Sequence, residues 1–174
     1  VHDNVVPLEN LVKEKSADAG VIFDGDADRV MFVDEKGNFV APDLIIALLG
    51  HYFIDEMGRK GKVLQEIRCS KAVSEYLTPM GADVHTWKVG RANAAIKLRE
   101  IDGEWGGELA GHYYFKDFFY SDSGLLASLL VLRVIANLKK KGITFSQAIS
   151  KIRKYENSGE INFCLDDKKG AMDR

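Results

Sequence analysis

The chain has 174 residues, and its 24 Lys+Arg against 26 Asp+Glu give a formal charge of −2, which argues against a nucleic-acid binder with its basic excess or stripe. A content of 46% hydrophobic and 29% charged residues excludes a mostly disordered chain. The longest apolar run, residues 44–49, is about a third of the roughly 18 residues that span a bilayer, and Cys69 and Cys164 form no C-x-x-C pair, so the expected setting is reducing and cytoplasmic, without a disulfide framework or zinc.

Short apolar runs alternate with longer helical periodicities, which predicts an α/β fold. Residues 8–15 read as a short helix opened by Pro7, where the missing N–H costs nothing. Residues 20–23 form a buried strand by their β-branched and aromatic content. Strands over 30–33 and 38–40 flank Asp34-Glu35-Lys36-Gly37, a turn in which Gly37 supplies a positive φ. Ile45, Leu48, Leu49, Tyr52 and Phe53 follow one helical face, predicting a single helix over 42–57 stopped by Gly58. A strand over 62–66 leads to a helix that Ser70 caps and Gly81 closes. A strand over 83–87 and a helix over 91–100 follow, and residues 104–108 run into a glycine-rich segment. The longest helix is predicted over 122–141; leucines and valines on most of its faces place it at the centre. Its Lys139-Lys140-Lys141 end suits the negative helix pole, as a solvated end rather than a phosphate site. Residues 144–153 read as a last helix, 155–159 as a linker and 160–165 as a strand entering another unit.

Directly after the first strand stands Asp24-Gly25-Asp26-Ala27-Asp28-Arg29. In an extended or gently curved loop alternate side chains point the same way, so three carboxylates converge. Such anions repel and have raised pKa values unless a cation neutralises them, and hard oxygens suit Mg²⁺ or Ca²⁺ rather than zinc. Gly25 and Ala27 leave room for the backbone to turn, and Arg29 adds a fixed charge suited to a phosphate that also touches the metal. A solvated acidic turn is the plainer reading; strict alternation behind a buried strand weighs for the metal. An EF-hand loop from Asp24 would put Glu35 at position 12, but Arg29 replaces the required glycine at position 6 and a strand precedes it. A phosphatase with Asp24 as nucleophile would resemble the haloacid dehalogenases, whose pattern has Thr or Val where Asp28 stands.

A second segment, Gly106-Gly107-Glu108-Leu109-Ala110-Gly111-His112, brings a carboxylate and an imidazole together between glycines. Glu108 could accept two sugar hydroxyls at once, and His112 could move a proton or bind phosphate. Alone, the stretch is equally a loop with a core histidine.

Together the two segments resemble the α-D-phosphohexomutases, the phosphomannomutase/phosphoglucomutase family. The aspartate loop is similar to their metal loop, and residues 107–112 to their sugar-binding loop, usually Gly-Glu-Met-Ser-Gly-His. Ile67-Arg68-Cys69-Ser70-Lys71, Lys88-Val89-Gly90-Arg91 and Ser158-Gly159-Glu160-Ile161-Asn162-Phe163 resemble the family as well. The resemblance implies a mixed sheet flanked by helices, like the family's third domain, with a partial second unit at the N-terminus. It implies that residues 1–40 end a second domain, 41–154 form the third, and 155–174 lead into a fourth.

By the same resemblance Asp24, Asp26 and Asp28 hold Mg²⁺, and Arg29 and His112 are catalytic, at the phosphate and in proton transfer. Arg68, Ser70, Lys71, Lys88, Gly90, Arg91, Glu108 and Ala110 line the hexose-phosphate site. The intact enzyme would move a phosphoryl group between the 1- and 6-positions of mannose or glucose through a phosphoserine and a bisphosphorylated sugar. The family's nucleophilic loop, Thr-Ala-Ser-His-Asn-Pro, is absent and no Ser-His dipeptide occurs; the chain reads as an excised part, inactive alone. Its expected partners are the sugar phosphate and domains 1 and 4 of the parent, with self-association through bared interdomain surface, and neither nucleic acid nor membrane. Two departures bear on sugar choice. Ala110 replaces the usual Ser, removing a hydrogen-bond partner worth about 1 kcal/mol net, and Arg91 stands where many bacterial members carry His. The other readings are a stand-alone Mg²⁺/Ca²⁺- or sugar-binding module and a haloacid-dehalogenase-like phosphatase.

Overall fold

Two sheets organise the chain in the computed structural model, which describes residues 2–156 and Cys164. The strand expected over 160–165, apart from Cys164, and the segment 158–163 lie outside the described residues.

The first sheet is an antiparallel meander of β1 (Ala19–Phe23), β2 (Val30–Asp34) and β3 (Phe39–Val40), preceded by α1 (His2–Lys15). The helix starts before Pro7 rather than at it. Pro7 forgoes one backbone hydrogen bond inside the helix, and burial of Val5 and Val12 against Val33 offsets that loss. At the β2–β3 turn the Asp34 carboxylate accepts from the backbone N–H groups of Lys36 and Asn38 at 3.0 and 2.9 Å. Gly37 takes φ +74°, and a Cβ there would meet the Glu9 carbonyl oxygen at 2.8 Å.

The second sheet has five strands in the order β5-β4-β6-β7-β8. Its elements are α2 (Pro42–Leu48), a π-helical turn (His51–Glu56), β4 (Lys62–Glu66), α3 (Lys71–Met80), β5 (Asp83–Trp87), α4 (Arg91–Glu100), β6 (Trp105–Gly107), β7 (Tyr113–Phe115), β8 (Ser121–Asp122), α5 (Gly124–Lys140) and α6 (Phe145–Ile152). Strands β5, β4 and β6 are parallel, and β7 and β8 add antiparallel to them. Hence the sheet is mixed. Along each strand the pleat sends alternate residues to opposite faces. Val63, Trp105, Tyr113 and Phe115 join the large core with α2, α3, α5 and α6, while Leu64 and Tyr114 pack on Ala94, Leu98 and Ile101 beneath α4.

Three sequence expectations need correction. The single helix over 42–57 is two segments, because the chain rewinds into the π-helical turn, where the Met57 N–H reaches the Tyr52 carbonyl five residues back. The apolar spacing alone does not distinguish this wider winding, which lays Phe53 flat on Trp105 with ring centroids 4.7 Å apart. Residue Asp122 belongs to β8, not to the long helix, which starts after Ser123, whose hydroxyl accepts from the Leu126 N–H. That helix is not enclosed on most faces either. Ala127, Val131, Val134, Ile135 and Leu138 enter the core, whereas Leu125, Leu129 and Leu132, at i, i+4 and i+7, stay 59%, 58% and 40% exposed.

Connectivity sets where a site can form. The β4–α3–β5 crossover leaves β4 on one side, and β5–α4–β6 returns the chain to the other side of β4. Loops after the carboxyl ends of β4, β5 and β6 therefore border the switch point where such sheets open a crevice. The meander docks at the same end: the Val30 N–H donates to the Gly111 carbonyl at 3.1 Å, and Arg29 bridges to His112.

Candidate functional site

The aspartate loop is a turn rather than the extended alternation expected from its sequence. The Ala27 N–H closes on the Asp24 carbonyl at 3.3 Å, and Ala27 takes the left-handed conformation at φ +59°. This curl still brings ligand oxygens of Asp24, Asp26 and Asp28 within 4.8 Å of one another. Arg29 donates from its backbone N–H and its Nε to the Asp24 carboxylate at 3.2 and 2.6 Å. Burial would raise the Asp24 carboxyl, but these bonds outweigh it and hold the group below its ordinary value. Both Asp24 carboxylate oxygens thus accept from Arg29. Asp28 behaves oppositely. Burial chiefly, helped by the charges of Asp26, Asp24 and Asp122, raises its carboxyl despite the pull of His112. Its Oδ1 is buried with no hydrogen-bond partner among the described residues. With Arg29 Nε no nearer than 3.8 Å, a buried carboxylate oxygen without a hydrogen bond, among hard oxygen donors, suits a divalent cation such as Mg²⁺.

Across from this loop lies the β6–β7 turn, closed by the Glu108 N–H on the His112 carbonyl and the Gly111 N–H on the Glu108 carbonyl, at 2.9 and 3.0 Å. Gly111 sits at φ +92°, where a Cβ would come within 3.0 Å of the Val30 carbonyl oxygen; only glycine lets the turn approach the meander this closely. His112 Nδ1 lies 3.9 Å from Asp28 Oδ2, and Arg91 Nη1 lies 3.7 Å from the same oxygen. Glu108 is buried and its Oε1 accepts from the Gly90 N–H at 3.1 Å, which ties the glycine-rich turn to the loop after β5.

The remaining expected residues ring this centre less tightly. Arg68 forks onto the buried Glu66 carboxylate, with Nη2 at 2.8 Å and a short Nε contact, and it also senses the charge of Glu108. Ser70 spends its hydroxyl on the Ala72 N–H as the α3 cap, and its own N–H donates to Asp43 Oδ2 at 2.9 Å. Lys71 and Lys88 are exposed, and no described bond links either to the aspartate loop. Ala110 is half-buried in the β6–β7 turn. Sequence reading missed Asp122, Glu66 and Asp43, three buried carboxylates that carry no motif. Asp122 is the most telling: its Oδ2 meets His112 Nδ1 at 2.7 Å and its Oδ1 meets Arg91 Nε at 2.8 Å.

Comparison with known proteins bears directly on this geometry. Residues 41–155 match the family model described as phosphoglucomutase/phosphomannomutase, alpha/beta/alpha domain III, and residues 2–37 match that of domain II. A phosphomannomutase of Methanocaldococcus jannaschii is 36% identical over 163 residues, covering 94% of this chain and 35% of the relative. One of Vibrio cholerae is 36% identical over 167 residues, covering 95% of this chain and 35% of the relative. The chain thus spans about a third of the length of these curated relatives. A crystal structure of a phosphoglucomutase/phosphomannomutase family protein from Burkholderia thailandensis superposes with a TM-score of 0.74 at 24% identity, over 86% of this chain and 31% of that one. At that identity the likeness speaks for the fold alone.

Proposed function

Because the chain belongs to the phosphoglucomutase/phosphomannomutase family, we propose that it supplies the metal loop and the sugar loop of a mutase that interconverts hexose 1-phosphate and hexose 6-phosphate. Mannose and glucose phosphates are the substrates proposed, passing through a phosphoserine and a bisphosphorylated sugar. In this reading residues 1–40 end a second domain, 41–154 are the third and 155–174 lead to a fourth. The observation that carries it is the meeting of two loops from separate sheets: Asp28 lies within 4 Å of both His112 and Arg91.

Asp24, Asp26 and Asp28 would hold Mg²⁺, which supplies positive charge where negative charge builds up on a transferring phosphoryl group. Arg29 and Arg91 add fixed positive charge at the same place, half-exposed and so within reach of a phosphate. His112, with Nδ1 bound to Asp122, keeps Nε2 for a proton moving at a sugar hydroxyl. Glu108, pinned by Gly90, would accept sugar hydroxyls. Arg68, Ser70, Lys71, Lys88, Gly90 and Ala110 complete the hexose-phosphate wall. Positioning is the main demand of such a transfer, and backbone closure around Gly111 and Gly90 meets it.

No helix among the described residues is long and apolar enough to cross a membrane, and a cytoplasmic setting suits sugar-phosphate chemistry. Without a Ser-His-containing phosphate-donor loop, the 174 residues bind but do not turn over; measurable mutase turnover from them alone would overturn this reading. The exposed Leu125, Leu129 and Leu132 make weak self-association the expected solution behaviour, which light scattering over a concentration series reads. The deciding experiment is a Mg²⁺ titration by calorimetry. Asp26 is exposed and makes no side-chain hydrogen bond among the described residues, so Asp26→Asn leaves the fold intact and weakens Mg²⁺ binding at least about tenfold, or 1.4 kcal/mol. Equal binding by both proteins refutes the assignment.

A further inference from the structure

We propose that Asp122 is the positioning residue of this site: its buried carboxylate fixes the proton of His112 on Nδ1, leaves Nε2 as a proton acceptor, and holds Arg91 beside it. The inference deepens the mutase reading and rests on it for its catalytic meaning, though not for its geometry.

Three elements that are remote in sequence meet at this carboxylate. Arg91 opens α4, His112 ends the β6–β7 turn, and Asp122 closes β8, opposite Tyr114 in the antiparallel register. The Asp122 side chain is only 1% exposed, and among the described residues each oxygen has one side-chain donor: Arg91 Nε at 2.8 Å on Oδ1 and His112 Nδ1 at 2.7 Å on Oδ2. A buried carboxylate is tolerable only with such donors. An ionised carboxylate is acceptor-only, so His112 must present N–H at Nδ1. Its Nε2 has no partner among the described residues, and in the neutral ring it is the nitrogen that can take a proton. The same clamp points Arg91 Nη1 toward Asp28, at 3.7 Å. One side chain therefore sets both the tautomer of the proton carrier and the place of a fixed positive charge.

Asparagine at this position tests the claim through its chemistry. A carboxamide has one accepting oxygen and one donating nitrogen, whereas Arg91 can only donate. In Asp122→Asn the amide oxygen goes to Arg91 and the NH₂ faces His112 Nδ1, which must then accept. The proton moves to Nε2, and the nitrogen meant to accept a proton no longer can. Arg91→Lys leaves the Asp122–His112 bond in place and keeps the original tautomer.

The experiment uses this chain labelled with ¹⁵N-histidine, without metal, at a pH above the ordinary histidine range. Long-range ¹H–¹⁵N correlation spectra distinguish the two tautomers, and loss of a signal in His112→Gln assigns the residue. The expected result is Nδ1–H for wild type and Arg91→Lys, and Nε2–H for Asp122→Asn. An Nε2–H tautomer in wild type overturns the proposal, even if the Asp122 variant fails to fold. So does a folded Asp122→Asn protein that retains Nδ1–H. A chain with the expected tautomers that binds no Mg²⁺ refutes the mutase reading instead and leaves the Asp122 clamp standing.

Discussion

Replacing Gly124 with alanine asks whether α5 holds the aspartate loop in shape. Gly124 is the first residue of that helix. A Cβ there would lie 2.8 Å from the Ala27 carbonyl oxygen and 3.0 Å from the carbonyl carbon and oxygen of Arg29. These are backbone atoms on either side of Asp28, so they cannot swing aside as a flexible side chain would. Gly124 is not in the left-handed region, and alanine adopts its conformation freely. Helix propensity then favours alanine by up to about 1 kcal/mol, whereas over-packing costs about 1–3 kcal/mol. The net loss to the fold is about 1 kcal/mol, or a fall in Tm of roughly 2–4 °C for a chain of this size. The larger effect falls on the loop, which must retreat by some tenths of an ångström. Mg²⁺ demands near-ideal octahedral geometry while Ca²⁺ is lenient, so Mg²⁺ affinity falls about tenfold and Ca²⁺ affinity falls less. Calorimetric titration with each ion, beside thermal unfolding in metal-free buffer, reads all three quantities. An unchanged Mg²⁺ affinity together with a raised Tm would mean that the helix does not brace the loop, and the steric argument fails.

Other expectations follow from single contacts. Glu35 accepts from the Ser146 N–H and hydroxyl at 2.9 and 2.6 Å, joining the meander to the start of α6. Burial would raise its carboxyl, but the Ser146 and Thr144 bonds hold it below the ordinary value of 4.5. A depressed folded value gives stability that is present above the unfolded pKa and lost as pH falls through the folded one. Glu35→Gln should therefore cost about 1 kcal/mol near neutral pH, and its difference from wild type should vanish in acid; urea melts at both pH values check this. Trp105 is fully buried and donates from Nε1 to the Ile46 carbonyl at 3.0 Å. Trp105→Ala should cost about 3–5 kcal/mol in denaturant unfolding, and a loss under 1 kcal/mol would contradict the packing described. Thr144 and Gln147 form a reciprocal cap on α6, so Thr144→Ala should lose about 1 kcal/mol by the same assay.

The sequence was most legible where local chemistry decides the outcome. Strands over 62–66 and 83–87 and the helix over 91–100 lie where their patterns place them, and the helix between the strands starts after Ser70 and ends at Gly81. It was least legible where tertiary packing decides. The spacing of Ile45 through Phe53 fits either a continuous helix or one rewound at His51, and the rewound form goes with tertiary contacts such as Phe53 stacked on Trp105. Strands β7 and β8, three and two residues long, exist because β6 offers β7 a free edge, not because their own residues demand it. Leucine-rich α5 reads as central, with apolar residues on most faces, yet composition cannot say which face a neighbour covers, and Leu125 and Leu129 stay exposed.

The site divides the same way. Asp24, Asp26 and Asp28 are visible as a unit because five consecutive residues hold them. Even so, the reason given for their convergence, extended alternation, is replaced by a turn with Ala27 at positive φ. Glu108 and His112 share a motif because one hairpin turn joins them. Asp122 shares a motif with nothing. Its nearest partners stand 10 and 31 residues away, brought together because α4 crosses back over β4 and because β7 and β8 add antiparallel. A residue whose role is set by strand order leaves no trace in spacing, and the sequence places Asp122 at the head of the long helix rather than in a strand. The carboxylate that orients the histidine was therefore hidden by the same topology that places the histidine beside the aspartate loop. Any search of such sequences for proton-relay partners should begin from the strands flanking the turn rather than from the turn itself.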